Sequence, residues 1–161
     1  DLNEIKSIIC KVGEGTVHRL WEPLSEKRNP TTPYSAKFSV PFCIASGLFF
    51  GKAGLVEFTD KQIKDHDILN LCSKISYEID PENEYPKNYS GDIKIILNNS
   101  QVIQEIQPGL RGGRLFPLDG KEVEEKFLDN LKFGNLNSSE ISNVKKFFKT
   151  FFKDPDFSLL N

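Results

Sequence analysis

Two short stretches carry residue types that can hold an anion. In Ala36-Lys37-Phe38-Ser39-Val40-Pro41-Phe42, a cation and a hydroxyl stand where an almost wholly apolar run begins. Ser39 is placed to cap a helix, its hydroxyl taking a backbone N–H of the first turn. Pro41 then falls in that turn, where its lack of an N–H does no harm. A helix start leaves N–H groups unpaired and carries the positive end of the helix dipole, so it attracts carboxylate or phosphate. Lys37 adds a full charge beside it. In the second stretch, Pro108 to Pro117 (PGLRGGRLFP), glycines permit close backbone approach and Arg111 and Arg114 can fork onto a carboxylate. Each stretch also has a plainer reading. Ser39 is an ordinary cap with Lys37 solvated, and the arginine loop is a solvated surface loop.

The elements that must position these residues follow from hydrophobic periodicity and turn chemistry. Ile5 to Val12 reads as a strand with Ile8, Cys10 and Val12 on one face, ended by Gly13-Glu14-Gly15. Thr16 to Trp21 reads as a short turn or helix. Glu22 to Pro33 is polar and proline-rich and reads as an extended loop. The apolar helix runs from Ser39 to Phe50 and closes at Gly51. Thr59-Asp60-Lys61-Gln62 has the form of a capping box opening a short helix to about Lys64. A further helix is expected over Asp67 to Lys74, with Ile68, Leu71 and Cys72 inward. Ile75 to Ile79 is a strand. Asp92 to Leu97 and Gln101 to Gln107 form a hairpin about Asn98-Asn99-Ser100. The expectation is an α+β fold: a small antiparallel sheet with flanking helices, followed by C-terminal helices.

Two helices close the chain. Asp119 and Glu122 make a capping box for a helix to about Lys132, with Val123, Phe127, Leu128 and Leu131 as its apolar stripe. The last helix spans about Ser138 to Lys153. Ile141, Val144, Phe148 and Phe151 share a face that Phe147 and Phe152 widen. At roughly 25 cal/mol per Å2, so large an apolar face must find a partner surface.

Bulk properties exclude several classes. The chain has 161 residues, fitting one domain or one lobe of a larger protein. Its net charge of −2 gives no electrostatic reason to bind nucleic acid or an anionic membrane. The apolar run is shorter than the ~20 residues needed to cross a bilayer, and the charged N-terminus lacks a secretory signal. Cys10, Cys43 and Cys72 lie among apolar neighbours without metal spacing, as buried thiols of a reducing, cytoplasmic compartment do. His18 and His66 are far apart and read as surface or capping residues. Neither a metal site nor a cofactor is expected. The sequence contains no Met, even at position 1, which reads as a processed or partial chain.

The order of elements resembles the C-terminal region of the MmgE/PrpD family, which includes 2-methylcitrate dehydratase, cis-aconitate decarboxylase and iminodisuccinate epimerase. The resemblance is carried by Tyr34 to Phe42 with Ala45 and Gly51, then Leu55-Val56-Glu57-Phe58-Thr59, then the hairpin Asp92 to Gln107. It continues through Gly112, Pro117-Leu118 and Lys126-Phe127 to Leu159-Leu160. It implies an α+β lid over residues 1–117 and, over residues 118–161, helices that return to an all-helical domain, in cis or in trans. It also implies a homo-oligomer. The active site of that family lies between the lobes, and its catalytic His, Asp and Lys residues belong to the helical domain. None has a counterpart here, and His18 does not match one of them.

The resemblance thus implies a lyase or isomerase of a small di- or tricarboxylate that removes a proton next to a carboxylate. This segment would supply substrate-binding residues Lys37, Ser39, Phe42, Arg111 and Arg114 but no catalytic residue. In cis-aconitate decarboxylase-like members a Tyr of this helix faces the substrate. Phe42 occupies that position here and lacks the hydroxyl. A rival reading is a stand-alone, non-catalytic accessory or binding subunit docking through the Phe-rich last helix. A gene continuing upstream of Asp1 favours the enzyme, and a start codon just before it favours the accessory subunit.

Overall fold

The computed structural model describes residues 1–151. They divide into two units, one spanning Asp1–Leu118 and one beginning at Asp119. The first is α+β. Its sheet has the order β2-β1-β3-β4, with β1 (Ile5–Val12), β2 (Ile75–Ile79), β3 (Gly91–Leu97) and β4 (Val102–Gln107). The sheet is mixed rather than wholly antiparallel. β1 pairs antiparallel with β3, and β3 with β4, but β1 runs parallel to β2 in the register Ile8 to Ile75 and Cys10 to Tyr77. A parallel pair needs a long crossover. Here that crossover contains α1 (Glu14–Leu20), α2 (Leu24–Arg28), α3 (Pro33–Ala36), α4 (Val40–Phe50) and α5 (His66–Ser73).

Burial follows the strand and helix periods. Ile5, Ile8, Cys10 and Val12 of β1 turn into the core with Ile75 of β2. Phe42 and Ala45 of α4, and Ile68, Leu71 and Cys72 of α5, close over them. Trp21, at the end of α1, is 1% exposed and packs on Tyr77 with ring centroids 5.1 Å apart. Gly13 and Gly15 let the 83–89 loop fold against the end of β1. A Cβ at Gly13 would lie 2.5 Å from Asn83 Oδ1, and one at Gly15 2.7 Å from the Tyr85 ring.

Several local expectations change. Glu22 to Pro33 is not wholly extended, because Leu24–Arg28 forms helix α2. Thr59 does not cap a helix. Its hydroxyl donates to the Val56 carbonyl, and the helical turn that follows covers only Gln62–Lys64. Asp65 caps α5 in its place, accepting from the N–H groups of Asp67 and Ile68. In the β3–β4 turn the left-handed residue is Ser100 (φ 68°), while Asn99 accepts from the Gln101 N–H. Gly51 does close α4 in the left-handed conformation, with φ 72°.

The second unit holds α6 (Gly120–Phe133) and α7 (Ser138–Thr150). Asp119 with Glu122 and Asn137 with Glu140 form reciprocal capping boxes. On α7 the residue that sinks in is Phe147, at 4% exposure, whereas Phe148 stays 54% exposed. Phe147 and Phe148 lie three and four residues past Val144, so spacing admits either, and packing within this unit takes Phe147 inward. Phe147 meets the rings of Phe148 and Phe151 at 5.4 and 5.2 Å. Lys145 pairs with Glu124 at 2.6 Å and holds that carboxyl below its usual range. Phe152, Lys153 and the Leu159-Leu160 pair lie outside the described residues.

All three cysteines are free thiols. Burial pushes Cys72 up to about 12, and burial aided by the Asp92 charge does the same to Cys10. Their ordinary value is 9.0, so between about 9 and about 12 the unfolded chain loses thiol protons that the folded chain keeps. The thiol contribution to stability is therefore fully present below pH 9 and lost as pH rises towards 12. Urea midpoints measured across this range should fall with pH, and the fall should be shallower in Cys10→Ala than in the parent. An equal slope in the two proteins contradicts the assignment.

Candidate functional site: the start of helix α4

Thr32 and Ser35 exchange hydrogen bonds as a capping box that opens α3, with Pro33 at its first position. The chain leaves α3 at Lys37 and enters α4 at Ser39. Ser39 Oγ accepts from the Phe42 N–H at 3.0 Å and donates to the Lys27 carbonyl in a short hydrogen bond. With 1% exposure, Ser39 is a buried cap whose hydroxyl is used in both directions. Phe42 is fully buried and packs on Phe58 at 5.7 Å. Of the five expected ligand-contacting residues, these two are buried here and hold the helix start in place.

The cation fixed at that start is Lys27. Its ammonium donates to the Arg19 carbonyl at 2.7 Å and to the Phe38 carbonyl at 2.9 Å. Next to it, Arg28 donates through Nε and Nη2 to the Ile75 carbonyl, tying α2 to the start of β2. Helix α2 thus joins the end of α1, the start of α4 and the sheet. On the outside of this joint the Arg19 guanidinium lies 4.8 Å above the Phe38 ring. Tyr34, 71% exposed, also packs on Phe38, with ring centroids 5.1 Å apart. Lys37 is exposed beside them.

This rim of Lys37, Arg19 and the Tyr34 hydroxyl suits an anionic or carboxylate-bearing solute. The backbone adds little. Pro41 has no N–H, Phe42's is taken by Ser39 Oγ, and Cys43's by the Ser39 carbonyl, which leaves Val40. Sequence reasoning missed Arg19 and Lys27. No spacing rule links them to Lys37, because the chain reversals at Trp21 and Asn29 bring them there. Tyr34 lies four residues before Phe38, a helical spacing that places both on one side.

Arg111 and Arg114 sit elsewhere in the first unit, exposed on a loop folded by turns. The Gly112 N–H donates to the Phe116 carbonyl at 2.7 Å, with Gly112 at φ 85°, and Asn88 anchors the Pro108 carbonyl. A cavity of about 240 Å3 lies between these regions, walled by Trp21, Val40, Ile44, Tyr85 and Tyr89, with Cys10 at its floor. Its walls include none of Lys37, Ser39, Phe42, Arg111 and Arg114. His18 is exposed on α1. Among the described residues no three His, Cys, Asp or Glu side chains converge as a metal site, and no helix is long and apolar enough to cross a membrane.

The model of the MmgE/PrpD C-terminal domain matches residues 1–146. The chain belongs to that family. No curated protein matches it significantly.

Removing the Ser39 hydroxyl leaves both the Phe42 N–H and the Lys27 carbonyl without their partner. Ser39→Ala should lower unfolding free energy by about 2 kcal/mol. Denaturant titration checks it, and a loss under about 0.5 kcal/mol contradicts the double role given to this hydroxyl.

Proposed function

We propose that this chain, as the C-terminal domain of an MmgE/PrpD family member, is the lid segment of a lyase or isomerase of a small di- or tricarboxylate. The observation that carries the reading is the family match over residues 1–146. In it, the chain binds and shields the substrate while an all-helical domain, joined in cis or in trans, supplies the base that removes a proton next to a carboxylate. Lys37 and Arg19 draw in a substrate carboxylate, and Tyr34 offers it a hydroxyl. Ser39, Lys27 and Phe42 act through position: the first two pin the start of α4, and Phe42 sets its depth on the sheet. Arg111 and Arg114 supply further cations from the loop after β4.

Two features support a binding rather than a self-sufficient catalytic role. The residues named for the rim are cations and a hydroxyl, groups that bind an anion but do not take a proton from carbon at neutral pH. The second unit also displays Phe148, Phe133 and Val123, 54%, 44% and 53% exposed, an apolar surface suited to a helical partner. The buried, protonated thiols accord with a cytoplasmic setting.

The test is turnover of 2-methylcitrate, cis-aconitate and iminodisuccinate by the whole protein, with Lys37→Gln beside it. One of the three should react, and Lys37→Gln should raise KM roughly tenfold while kcat stays within about twofold. Residues 1–161 alone should bind that substrate without turning it over. An unchanged KM in Lys37→Gln removes the carboxylate role, and turnover by residues 1–161 alone removes the division of labour.

A further inference from the structure

Strand β4 ends the sheet order β2-β1-β3-β4, and every one of its six residues is exposed. The pairing with β3 shows which backbone groups are open. The Leu97 N–H donates to the Gln101 carbonyl at 2.9 Å, and Ile95 with Ile103 and Ile93 with Glu105 continue that register. Bonded and non-bonded pairs alternate in an antiparallel ladder. Ile103 and Glu105 therefore point their N–H and C=O at β3, while Val102, Gln104 and Ile106 point theirs at the open edge. The side chains of these three share the sheet face turned away from the core, beside Ile96, Lys94 and Asp92.

Edge strands are usually protected by lysine, proline or a bulge. Val102–Gln107 reads Val-Ile-Gln-Glu-Ile-Gln, with none of the three, and its one charge, Glu105, lies opposite Ile93 on the core-side face rather than among the outward positions. Val102, Ile103 and Ile106 are 50%, 47% and 57% exposed. A strand with three outward residues so arranged is complementary to itself. With a two-fold axis through Gln104, Val102 opposes Ile106 of the second copy, Ile106 opposes its Val102, and the two Gln104 amides meet at the axis. All the outward N–H and C=O groups then find mates.

Gln104 already donates through Nε2 to Asp92 Oδ1 at 2.8 Å, which orients the amide and leaves its oxygen free to accept. The neighbouring registers are worse. An axis at Glu105 sets two carboxylates opposite each other, and an axis at Ile103 sets Val102 against Gln104. We propose that β4 pairs antiparallel with β4 of a second copy of this chain, about an axis at Gln104, so that one sheet runs through both copies. The occupant is a second copy because this register satisfies edge, apolar pair and amide at once with no foreign sequence. The inference does not depend on the carboxylate-lyase reading.

The decisive experiment is cross-linking of the whole protein carrying Gln104→Cys with a short bifunctional thiol reagent. Cys10 and Cys72 are fully buried and Cys43 partly so, which keeps the background low. Gln104→Cys should give one dimer band, and Asn99→Cys, in the exposed β3–β4 turn, should not. V102K/I106K places like charges opposite one another and should abolish the Gln104→Cys band. In sedimentation equilibrium it should weaken self-association at least about tenfold, with an unchanged circular dichroism spectrum. Should V102K/I106K unfold, the contrast between Gln104→Cys and Asn99→Cys decides alone. No Gln104→Cys dimer at ~100 µM protein overturns the proposal, and so does a band that survives V102K/I106K in a folded protein.

Discussion

Helix α4 reads Val-Pro-Phe-Cys-Ile-Ala-Ser-Gly-Leu-Phe-Phe, so it has no polar face to offer water. Such a helix is stable only when structure lies on most of its sides. The sheet takes one side through β1, α5 takes another, and α2 closes the N-terminal end. Phe42, Ala45 and Ser46 are fully buried as a result. The price of this burial falls on the helix start, whose N–H groups must be satisfied away from solvent. Ser39 and Lys27 meet that demand together: the hydroxyl bridges the Phe42 N–H and the Lys27 carbonyl, and the Lys27 ammonium holds the carbonyls of Arg19 and Phe38.

That arrangement separates support from exposure. The groups that fix the start of α4 are buried or engaged, and the groups left at the surface are Lys37, Arg19 and Tyr34. Pinning fixes where the Lys37 backbone stands, while its exposed ammonium stays in solvent. Phe38 contributes by contacting both Tyr34 and Arg19, so that an aromatic and a guanidinium are held next to the residue that follows Lys37. The second unit follows the same logic on a smaller scale. Reciprocal capping boxes define both helices, and Phe147 takes the inward position while Phe148, packed on Phe127, stays half exposed.

The sheet links these themes. Because β1 is flanked by β2 and β3, its residues are buried on the core face and its backbone is paired on both edges. β4 has neither protection. A strand that is regular, apolar at alternate outward positions and without lysine, proline or a bulge is under a different constraint from the rest of the sheet, and self-pairing about Gln104 answers it with the residues already present.

Local rules made much of the first unit legible. Alternation marked β1, β2, β3 and β4 nearly to their ends, and Ser39, Pro41 and Gly51 marked both ends of α4, because caps and turns depend on neighbours in the chain. The family was legible too, from the order of its segments. Helix α2 was not: Leu24–Arg28 contains good helix formers but spans only five residues between Pro23 and Pro30, too short to show a period, and it is held by long-range bonds from Lys27 and Arg28. The parallel register of β1 with β2 was hidden for the same reason, being decided by how the crossover packs. At the candidate site, the sequence by itself determined that a capped apolar helix starts beside a cation. Tertiary structure alone decided that Ser39 and Phe42 face inward and that Arg19 and Tyr34 join Lys37 at the surface. The reason is physical: capping is settled within one helical turn, whereas the neighbours of an exposed side chain depend on where distant segments come to rest.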